Sequence, residues 1–327
     1  MSSAPIHTAS DSAITLAADA LLDGELVAIP TETVYGVACD GTNANAIARL
    51  YAAKGRPHFN PLIAHVAELA NAQQEGVFDR RALTLAQHCW PGPLTLVLPV
   101  QPAGGVAELA RAGLDSIALR IPAHPVAQAL LRAVECPLVA PSANRSGRLS
   151  PTRSSDVATE LGDALALILD GGEASVGLES TIVAALPDAQ LRILRPGAFD
   201  GSTLSAIAGE PVLSPLGDGA AVIAPGQLSS HYAPNALVRL EATEARQGER
   251  LLAFGPAAPA GAANLSPSGN TTEAAAKLYR LLRDLDASGV GTIAVMPIPN
   301  EGLGVAINDR LRRAAAPRPA APGLPTR

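Results

Sequence analysis

The feature that most constrains the fold is a series of short apolar runs, each ending in a polar segment rich in Gly, Pro, Ser or Thr. Such runs predict strands that are covered on both faces, because a half-exposed strand would alternate apolar and polar residues. Segments with helical spacing lie between them, for example Ile14, Ala17 and Leu21 before a stop at Gly24. The alternation predicts a mixed α/β fold.

The predicted elements form two groups. In the first, helices are predicted at 10–22, 44–53, 79–88, 124–134 and 155–161, and strands at 25–30, 62–66, 94–98, 116–121, 137–140, 165–169, 180–185 and 191–194. Their irregular order argues against a repeating βαβ pattern and favours a twisted mixed sheet. The second group, with strands at 251–254 and 292–296 and helices at 272–285 and 305–313, is typical of a smaller Rossmann-like, three-layer α/β domain.

Composition places the boundaries between these groups. A chain of 327 residues is long enough for about two domains. The segment from Gly209 to Ser230 is rich in Gly, Pro, Ser and Ala and carries almost no charge, which is typical of a linker. We predict a larger domain at 1–208, a linker or lid at 209–235, a smaller domain at 236–315 and a frayed tail at 316–327.

Charge and cysteine usage exclude several classes of protein. The net charge of −6 gives no overall positive electrostatic field that would attract nucleic acid. Any polyanion must therefore bind to a local patch of basic residues. Cys39, Cys89 and Cys136 form no CxxC motif, which argues against a disulfide framework or a zinc cage. With no export signal and no long apolar span in the sequence, we expect a cytoplasmic protein without a membrane partner.

The common nucleotide, zinc-protease and esterase motifs are absent from the sequence, so the polar segments at strand ends carry the functional signal. The strongest of them contains Lys54 and Arg56 on a Gly/Pro-fixed loop. Lys54 is one of only two lysines in the sequence. The ammonium of Lys54 supplies a point charge and Arg56 supplies a planar guanidinium, and both groups are suited to binding oxyanions. The alternative is a solvated basic helix end.

Two further residues stand inside apolar strands. Arg120 must find an anion, either an internal carboxylate or a ligand carboxylate, because an unpaired buried charge is costly. Because side chains alternate along a strand, Ser116 lies on the same face of this strand as Arg120. His65 is by itself more typical of a packed core histidine than of a catalyst.

The remaining segments are short and polar. Segments 30–36 and 141–152 offer hydroxyl groups and backbone donors that could hold a small polar ligand or phosphate oxygens, although ordinary turns have the same composition. Glu32 and Glu179 are the obvious carboxylates for acid–base chemistry or Mg²⁺, but loop carboxylates are more often solvated.

Taken in order, these segments resemble the YrdC-like family of threonylcarbamoyl-AMP synthases in its long form with an additional C-terminal domain. The residues that carry the resemblance are PTETVYG (30–36), KGRP (54–57), NPLIAHV (60–66), WPGPLT (90–95), LRIP (119–122), PSANRSG (141–147), ESTIV (179–183), RPG (195–197), HYAP (231–234) and GLGVAINDRL (302–311). The sequence at 227–230, just before HYAP, departs from the expected pattern.

The resemblance implies an enzyme that makes L-threonylcarbamoyladenylate from L-threonine, bicarbonate and ATP, with Mg²⁺ as cofactor and pyrophosphate as product. Downstream partners would be the proteins that transfer the threonylcarbamoyl group to tRNA beside the anticodon. A catalytic role is expected for Lys54 and Arg56. By similarity, the threonine-binding positions are Thr33, His65, Arg120, Ala140 and Thr181, and the ATP-binding positions are Arg56, Asn60, Ser116, Ser142, Ser150, Arg195 and Tyr232.

Two alternatives stay open on the sequence. A carbamoyl-adenylate enzyme of hydrogenase maturation would need zinc-finger cysteine pairs and an acylphosphatase module, and neither is evident. A non-catalytic RNA-binding module would use a concave basic surface, against which the net charge weighs, so at most a weak RNA contact is expected.

Overall fold

A computed structural model describes residues 4–215, 223–226 and 231–317. Within them, the predicted α/β class is confirmed by a ten-stranded mixed sheet and a four-stranded parallel sheet. The helices are α1 Asp11–Leu22, α2 Ala44–Lys54, α3 Leu69–Glu75, α4 Arg80–Cys89, α5 Pro125–Val134, α6 Ser154–Leu161, α7 Gly201–Ala208, α8 Thr271–Ala287 and α9 Leu303–Ala315. The strands are β1 Ile6–Thr8, β2 Val27–Ile29, β3 Gly36–Asp40, β4 Ile63–His65, β5 Leu94–Pro99, β6 Ser116–Arg120, β7 Leu138–Val139, β8 Leu167–Asp170, β9 Thr181–Ala184, β10 Arg192–Arg195, β11 Leu237–Arg239, β12 Glu249–Ala253, β13 Ala263–Asn264 and β14 Thr292–Val295.

The large sheet has the order β1-β8-β2-β3-β7-β4-β6-β5-β9-β10. Strands β4 and β6 are parallel, and their register sets His65 beside Arg120. Because side chains alternate along a strand, His65 and Arg120 share one face with Ile63 and Ala118. Two polar residues of distant sequence therefore meet on the same face of the sheet.

Helices cover most of the sheet on both sides. On one side, apolar residues of α2 and α4, such as Leu50 and Leu85, pack in one cluster with Leu96 and Leu119. On the other side, α1 and α5 cover the part of the sheet formed by β2 and β8. The face that carries Ile63 and its neighbours holds a small apolar cluster, which includes Ala224 of the predicted linker.

The smaller sheet has the order β11-β14-β12-β13. Helices α8 and α9 pack on one face, against Leu252, Ile293 and Val295. The third layer is formed by loop residues such as Ala242 and Ala258 rather than by a helix. The apolar cluster under the helices also includes residues of the larger domain, namely Val34, Leu149 and Leu178, so one core runs across both domains.

Some elements escape the sequence pattern. Strand β3 begins at the end of the polar segment 30–36. Helix α7 begins with Gly, Ser and Thr, which are poor helix formers, and its first turn is stabilised by the Asp200 cap. Strands β1, β11 and β13 are at most three residues long, and α3 has seven. Of the predicted linker and tail, 216–222, 227–230 and 318–327 lie outside the described residues. Across the described part, each helix is too short or too polar to cross a membrane.

Candidate functional site

Eight of the thirteen residues predicted for the site line one cavity over the open face of the large sheet. They come from seven separate segments of the chain and are Thr33, Arg56, His65, Arg120, Ala140, Ser142, Arg195 and Tyr232. Glu179, Ser180 and His231 line the same cavity. A larger groove of about 420 Å³ between α3 and α5 contains none of the predicted residues. The structure therefore brings these eight residues together and leaves the other five outside the cavity lining.

Arg120 is held by the protein but keeps donors for a ligand. Its Nε donates to the Gly92 carbonyl at 3.2 Å, its Nη1 to Thr33 Oγ1 at 2.9 Å and its Nη2 to Glu32 Oε1 at 2.7 Å. The sequence left open whether an internal or a ligand carboxylate meets Arg120, and Glu32 is the internal one. A guanidinium has five N–H groups, so one on each Nη atom stays available among the described contacts. Two such donors match a ligand carboxylate bidentately.

Thr33 presents an acceptor beside Arg120. Its hydroxyl accepts from Arg120 and lies 2.9 Å from the hydroxyl of Thr31, whose own proton goes to the Val34 carbonyl at 2.6 Å. Thr33 must therefore donate to Thr31, and its remaining lone pair can accept from an amine or a hydroxyl.

His65 is a neutral hydrogen-bonding group. Burial, reinforced by the positive charge of Arg120, lowers the pKa of His65 to about 3. Its Nδ1 lies 3.1 Å from the Ile63 carbonyl oxygen, which can only accept, so Nδ1 carries the proton and Nε2 is an acceptor. Neither feature suits a proton donor at neutral pH, whereas both suit recognition of a polar substrate.

Arg56 and Arg195 give the cavity its positive charge. Both are buried and donate to neutral acceptors: Arg56 to the carbonyls of Asn60 and Pro61, and Arg195 to the carbonyl and hydroxyl of Ser180. Neither forms a salt bridge with the described residues. Burial lowers the pKa of Arg56 to about 10, which still leaves it charged at neutral pH. Two guanidinium groups in one cavity that form no salt bridge with the described residues predict an anionic ligand.

Lys54, for which a catalytic role is expected, lies outside the lining of the cavity. Its ammonium is buried and donates to the carbonyls of Ser142 and Asn144, 2.5 Å away in the case of Asn144. The backbone of Lys54 also accepts from Ser146 at 2.8 Å. Lys54 does not line the cavity, and it holds the loop that presents Ser142 rather than facing the ligand.

Three buried polar side chains near the cavity have unused hydrogen-bonding capacity in the described structure. The Asn60 amide lacks partners at both Nδ2 and Oδ1, and Asn144 Oδ1 and His231 Nδ1 also lack one. Unsatisfied buried groups are rare and costly, which suggests that a ligand or water meets them. Asn60, a predicted ATP contact, follows Arg56 on the same loop.

The other predicted contacts lie outside the cavity wall. Ser116 stands at the opposite end of β6 from Arg120 and is only partly buried. The hydroxyl of Thr181 donates to the Phe199 carbonyl at 3.1 Å and accepts from the Phe199 amide at 2.9 Å. Ser150 donates to Glu179 at 2.5 Å. Direct contact between a ligand and these three side chains would require a change in their present position or hydrogen bonds. A contact through their backbone atoms would require no such change.

Glu179 lines the cavity and Glu32 lies behind Arg120, and both carboxylates are engaged. Glu32 accepts from Arg120 and from the Ala123 amide at 3.1 Å. Glu179 accepts from Ser150, Tyr279 and Arg310. Burial would raise the pKa of Glu179, but the guanidinium groups of Arg310 and Arg195 outweigh burial and lower it to about 2. Neither carboxylate is suited to serve as a free base or a resident Mg²⁺ ligand.

Tyr232 closes one wall of the cavity in a strained conformation. Its φ of 61° is in the left-handed region, which bulky residues rarely adopt. Contacts on several sides hold it there, with the His231 ring at 4.1 Å, the Tyr279 ring at 5.9 Å and the Arg310 guanidinium 5.2 Å from the ring centre. Sequence reasoning missed His231, Tyr279 and Arg310 as site residues, although the HYAP and GLGVAINDRL motifs contain two of them.

Comparison with known proteins covers both domains. Residues 19–197 match the family model described as "Telomere recombination", and residues 197–316 match the model of the threonylcarbamoyl-AMP synthase C-terminal domain. Among curated proteins, a threonylcarbamoyl-AMP synthase of Bacillus subtilis is 37% identical over 94% of this chain and 94% of its own length. A threonylcarbamoyl-AMP synthase of Pyrococcus abyssi is 37% identical over 93% of this chain and 94% of its own.

A solved structure shares the fold over nearly the whole length. It is the crystal structure of a Pyrococcus abyssi protein complexed with L-threonine, with a TM-score of 0.86 and 34% sequence identity, covering 95% of this chain and 96% of that one. The similarity therefore includes both domains.

Proposed function

The chain belongs to the threonylcarbamoyl-AMP synthase family in its two-domain form, and on that premise we propose that its cavity joins L-threonine, bicarbonate and ATP. Its activity is the synthesis of threonylcarbamoyl-AMP, as in the relatives that match its full length. The observation that carries the assignment of the site is the convergence of eight predicted residues on one cavity, two of them arginines that form no salt bridge among the residues described. The roles of individual residues below are part of the proposal.

L-Threonine occupies the end of the cavity at Arg120. The two spare N–H groups of Arg120 bind its carboxylate, while Thr33 and His65 accept hydrogen bonds from its amine and hydroxyl. Ala140 and Thr181 contribute through their backbone. This arrangement is supported by the neutral state of His65, because a protonated ring would repel the substrate's ammonium group.

ATP occupies the end of the cavity at Arg56 and Arg195. Their charges stabilise the phosphates, Asn60 and Ser142 contact the nucleotide, and Tyr232 packs against it. Ser116 and Ser150 belong to the nucleotide region at a greater distance. Since the nearby carboxylates are already engaged, Mg²⁺ enters as part of the MgATP substrate, held by the triphosphate.

The chemistry is a nucleotidyl transfer. The threonine amine and bicarbonate form a carbamate with loss of water, and a carbamate oxygen attacks the α-phosphorus. The bond from the α-phosphorus to the bridging oxygen breaks, and pyrophosphate leaves with its electron pair. The protein contributes by holding the two anions in line and by stabilising the developing negative charge through Arg56 and Arg195.

Ligand entry requires the cavity to open. Its volume of about 50 Å³ is smaller than threonine and ATP together, and Gly226, His231 and Tyr232 of the predicted linker form one wall. We assign this wall the role of a lid that moves outward to admit substrates. Closure would exclude water from the carbamate, which is unstable in aqueous solution.

The product would pass to proteins that transfer threonylcarbamoyl groups to tRNA, with at most a weak contact between this chain and RNA. A cytoplasmic location is supported by the three cysteines, all of which are unpaired.

The decisive experiment measures pyrophosphate release by the purified full chain. We expect release that depends on L-threonine, bicarbonate and MgATP together, with threonylcarbamoyl-AMP detected by mass spectrometry. Release without threonine, or with carbamoyl phosphate in its place, would contradict the proposal.

A further inference from the structure

Glu179, in the wall of the cavity, takes its orientation from the C-terminal domain. The hydroxyl of Tyr279 on α8 lies 3.1 and 3.0 Å from the two carboxylate oxygens, and Nε of Arg310 on α9 donates to Oε2 at 2.9 Å. All three side chains are buried. A residue of the larger domain's cavity is therefore fixed by two helices of the smaller domain.

Arg310 also braces the other elements of that wall. Its Nη2 donates to the carbonyl of Pro196 at 2.9 Å, at the residue that follows Arg195, and its guanidinium lies over the Tyr232 ring. Asp309 accepts a hydrogen bond from Arg310 Nη1 at 2.7 Å and so fixes the orientation of the guanidinium. Only 1% of the Arg310 side chain is exposed. One side chain thus joins the start of β9, the end of β10 and the linker.

The charges of Glu179 and Arg195 indicate the role of these Arg310 contacts. Arg195 forms no salt bridge with the described residues, and it donates to Ser180, the neighbour of Glu179. Arg195 is also the second guanidinium whose charge stabilises the ionised form of Glu179, after Arg310. If Arg310 were absent, the buried carboxylate would turn to Arg195, because an unpaired buried charge is unfavourable. The cavity would then lose the guanidinium charge of Arg195, which forms no salt bridge within the described part of the chain.

We propose that Arg310 is a positioning residue of the synthase site, which pairs with Glu179 and so keeps Arg195 available for the phosphates of the nucleotide. The inference rests on the proposed assignment of Arg195 to ATP. Arg310 itself does not line the cavity. The smaller domain therefore acts on one substrate, ATP, and leaves the threonine end to Arg120 and His65.

The test compares Arg310→Gln with the double variant Glu179→Gln/Arg310→Gln by pyrophosphate release from the full chain. In Arg310→Gln we expect the KM for ATP to rise about tenfold or more, with the KM for L-threonine within about twofold of the wild type. In the double variant we expect most of the ATP affinity to return, because a neutral amide cannot neutralise Arg195. A merely structural role for Arg310 predicts no such rescue.

The matched control is Arg280→Gln. Arg280 of α8 also crosses the domain boundary, to Glu173 at 3.1 Å, but it is part of no contact with Glu179. We expect its KM for ATP to stay within about twofold of the wild type. An equal change in Arg280→Gln would mean that domain contact in general, rather than the Arg310 charge, controls the site.

Three results would overturn the inference: equal increases in both KM values, absence of rescue, or unchanged ATP affinity in Arg310→Gln. If Arg310→Gln does not fold, Arg310→Lys is tested in its place. Lysine keeps the positive charge but lacks the planar guanidinium with its several N–H donors. We then expect the KM for ATP to stay within about threefold of the wild type, and a tenfold rise would overturn the inference. Failure of the wild type to bind ATP in calorimetry would instead refute the proposed function.

Discussion

Glu32 Oε1 accepts a hydrogen bond from Arg120 Nη2 at 2.7 Å, and both side chains are buried. The ion pair orients the guanidinium without using all of its donors. A second acceptor, the hydroxyl of Thr33, fixes Nη1. The internal carboxylate and the ligand carboxylate, which the sequence presents as alternatives, are therefore compatible.

We predict that Arg120→Ala abolishes L-threonine binding and that Glu32→Gln weakens it about tenfold, because the amide leaves Arg120 charged but less firmly oriented. Isothermal titration calorimetry measures both. The control is Arg132→Ala, which removes an exposed arginine of α5 that donates to Gln128 instead. Unchanged threonine affinity in Arg120→Ala would refute the threonine assignment.

How far the sequence predicts the structure depends on whether a property is local. Helix α1 and strand β6 follow from their own residues, so their predicted ranges are close to the observed ones. Lys54 shows the limit. Its charge and its rigid loop are visible in the sequence, but its burial and its carbonyl partners come from segment 142–144, far along the chain.

The contribution of the smaller domain was equally hidden. Arg310 lies in a recognisable motif, yet its partner Glu179 is 131 positions earlier in the sequence. Because a buried arginine needs an anion, the pattern alone indicates that a partner exists but not which carboxylate it is. Long-range pairing of this kind is set by the packing of α8 and α9 against the larger domain.

Folding stability should fall on mild acidification. Burial lowers the pKa of His65 and of His231 to about 3, whereas both titrate near 6.5 in the unfolded chain. Below pH 6.5 the unfolded chain therefore binds protons that the folded chain does not, and stability decreases as the pH falls. From pH 6 to pH 5 we expect a loss of about 2–3 kcal/mol, which includes a smaller contribution from half-buried His124.

Denaturant unfolding at pH 7, 6 and 5 measures this loss. Glu179 does not interfere with this measurement. The pKa of its carboxylate is about 2 in the folded protein and near 4.5 in the unfolded chain, so its stabilisation is lost as the pH falls from about 4.5 to about 2, below the measured range of pH 5 to 7. In His231→Gln the slope should decrease by about 1 kcal/mol per pH unit. A stability that does not change between pH 6 and pH 5 would show that the histidines are not buried as neutral rings.

Lys54→Met should loosen the loop that presents Ser142. The substitution keeps an unbranched side chain as far as the ε-carbon but removes the ammonium donor to the carbonyls of Ser142 and Asn144. We expect a loss of about 2 kcal/mol in the free energy of unfolding and a higher KM for ATP. Lys277→Met, which removes the other lysine from its exposed pair with Glu273, is the control and should change neither by much. Full activity in Lys54→Met would contradict the positioning role.

Close packing of the two domains depends on Gly177. Its φ is +74°, and a Cβ there would lie 2.5 Å from the Ala275 carbonyl oxygen of α8. Gly172 on the same connection has a similar φ of +87° but open space around it, so it serves as a matched control. Gly172→Ala should cost about 1 kcal/mol of stability from backbone strain alone. Gly177→Ala adds a clash that displaces α8, and with it Tyr279, so its loss of stability should be at least twice as large and accompanied by a raised KM for ATP. Denaturant unfolding and steady-state kinetics measure the two effects, and equal behaviour of the two variants would show that α8 does not need this close approach.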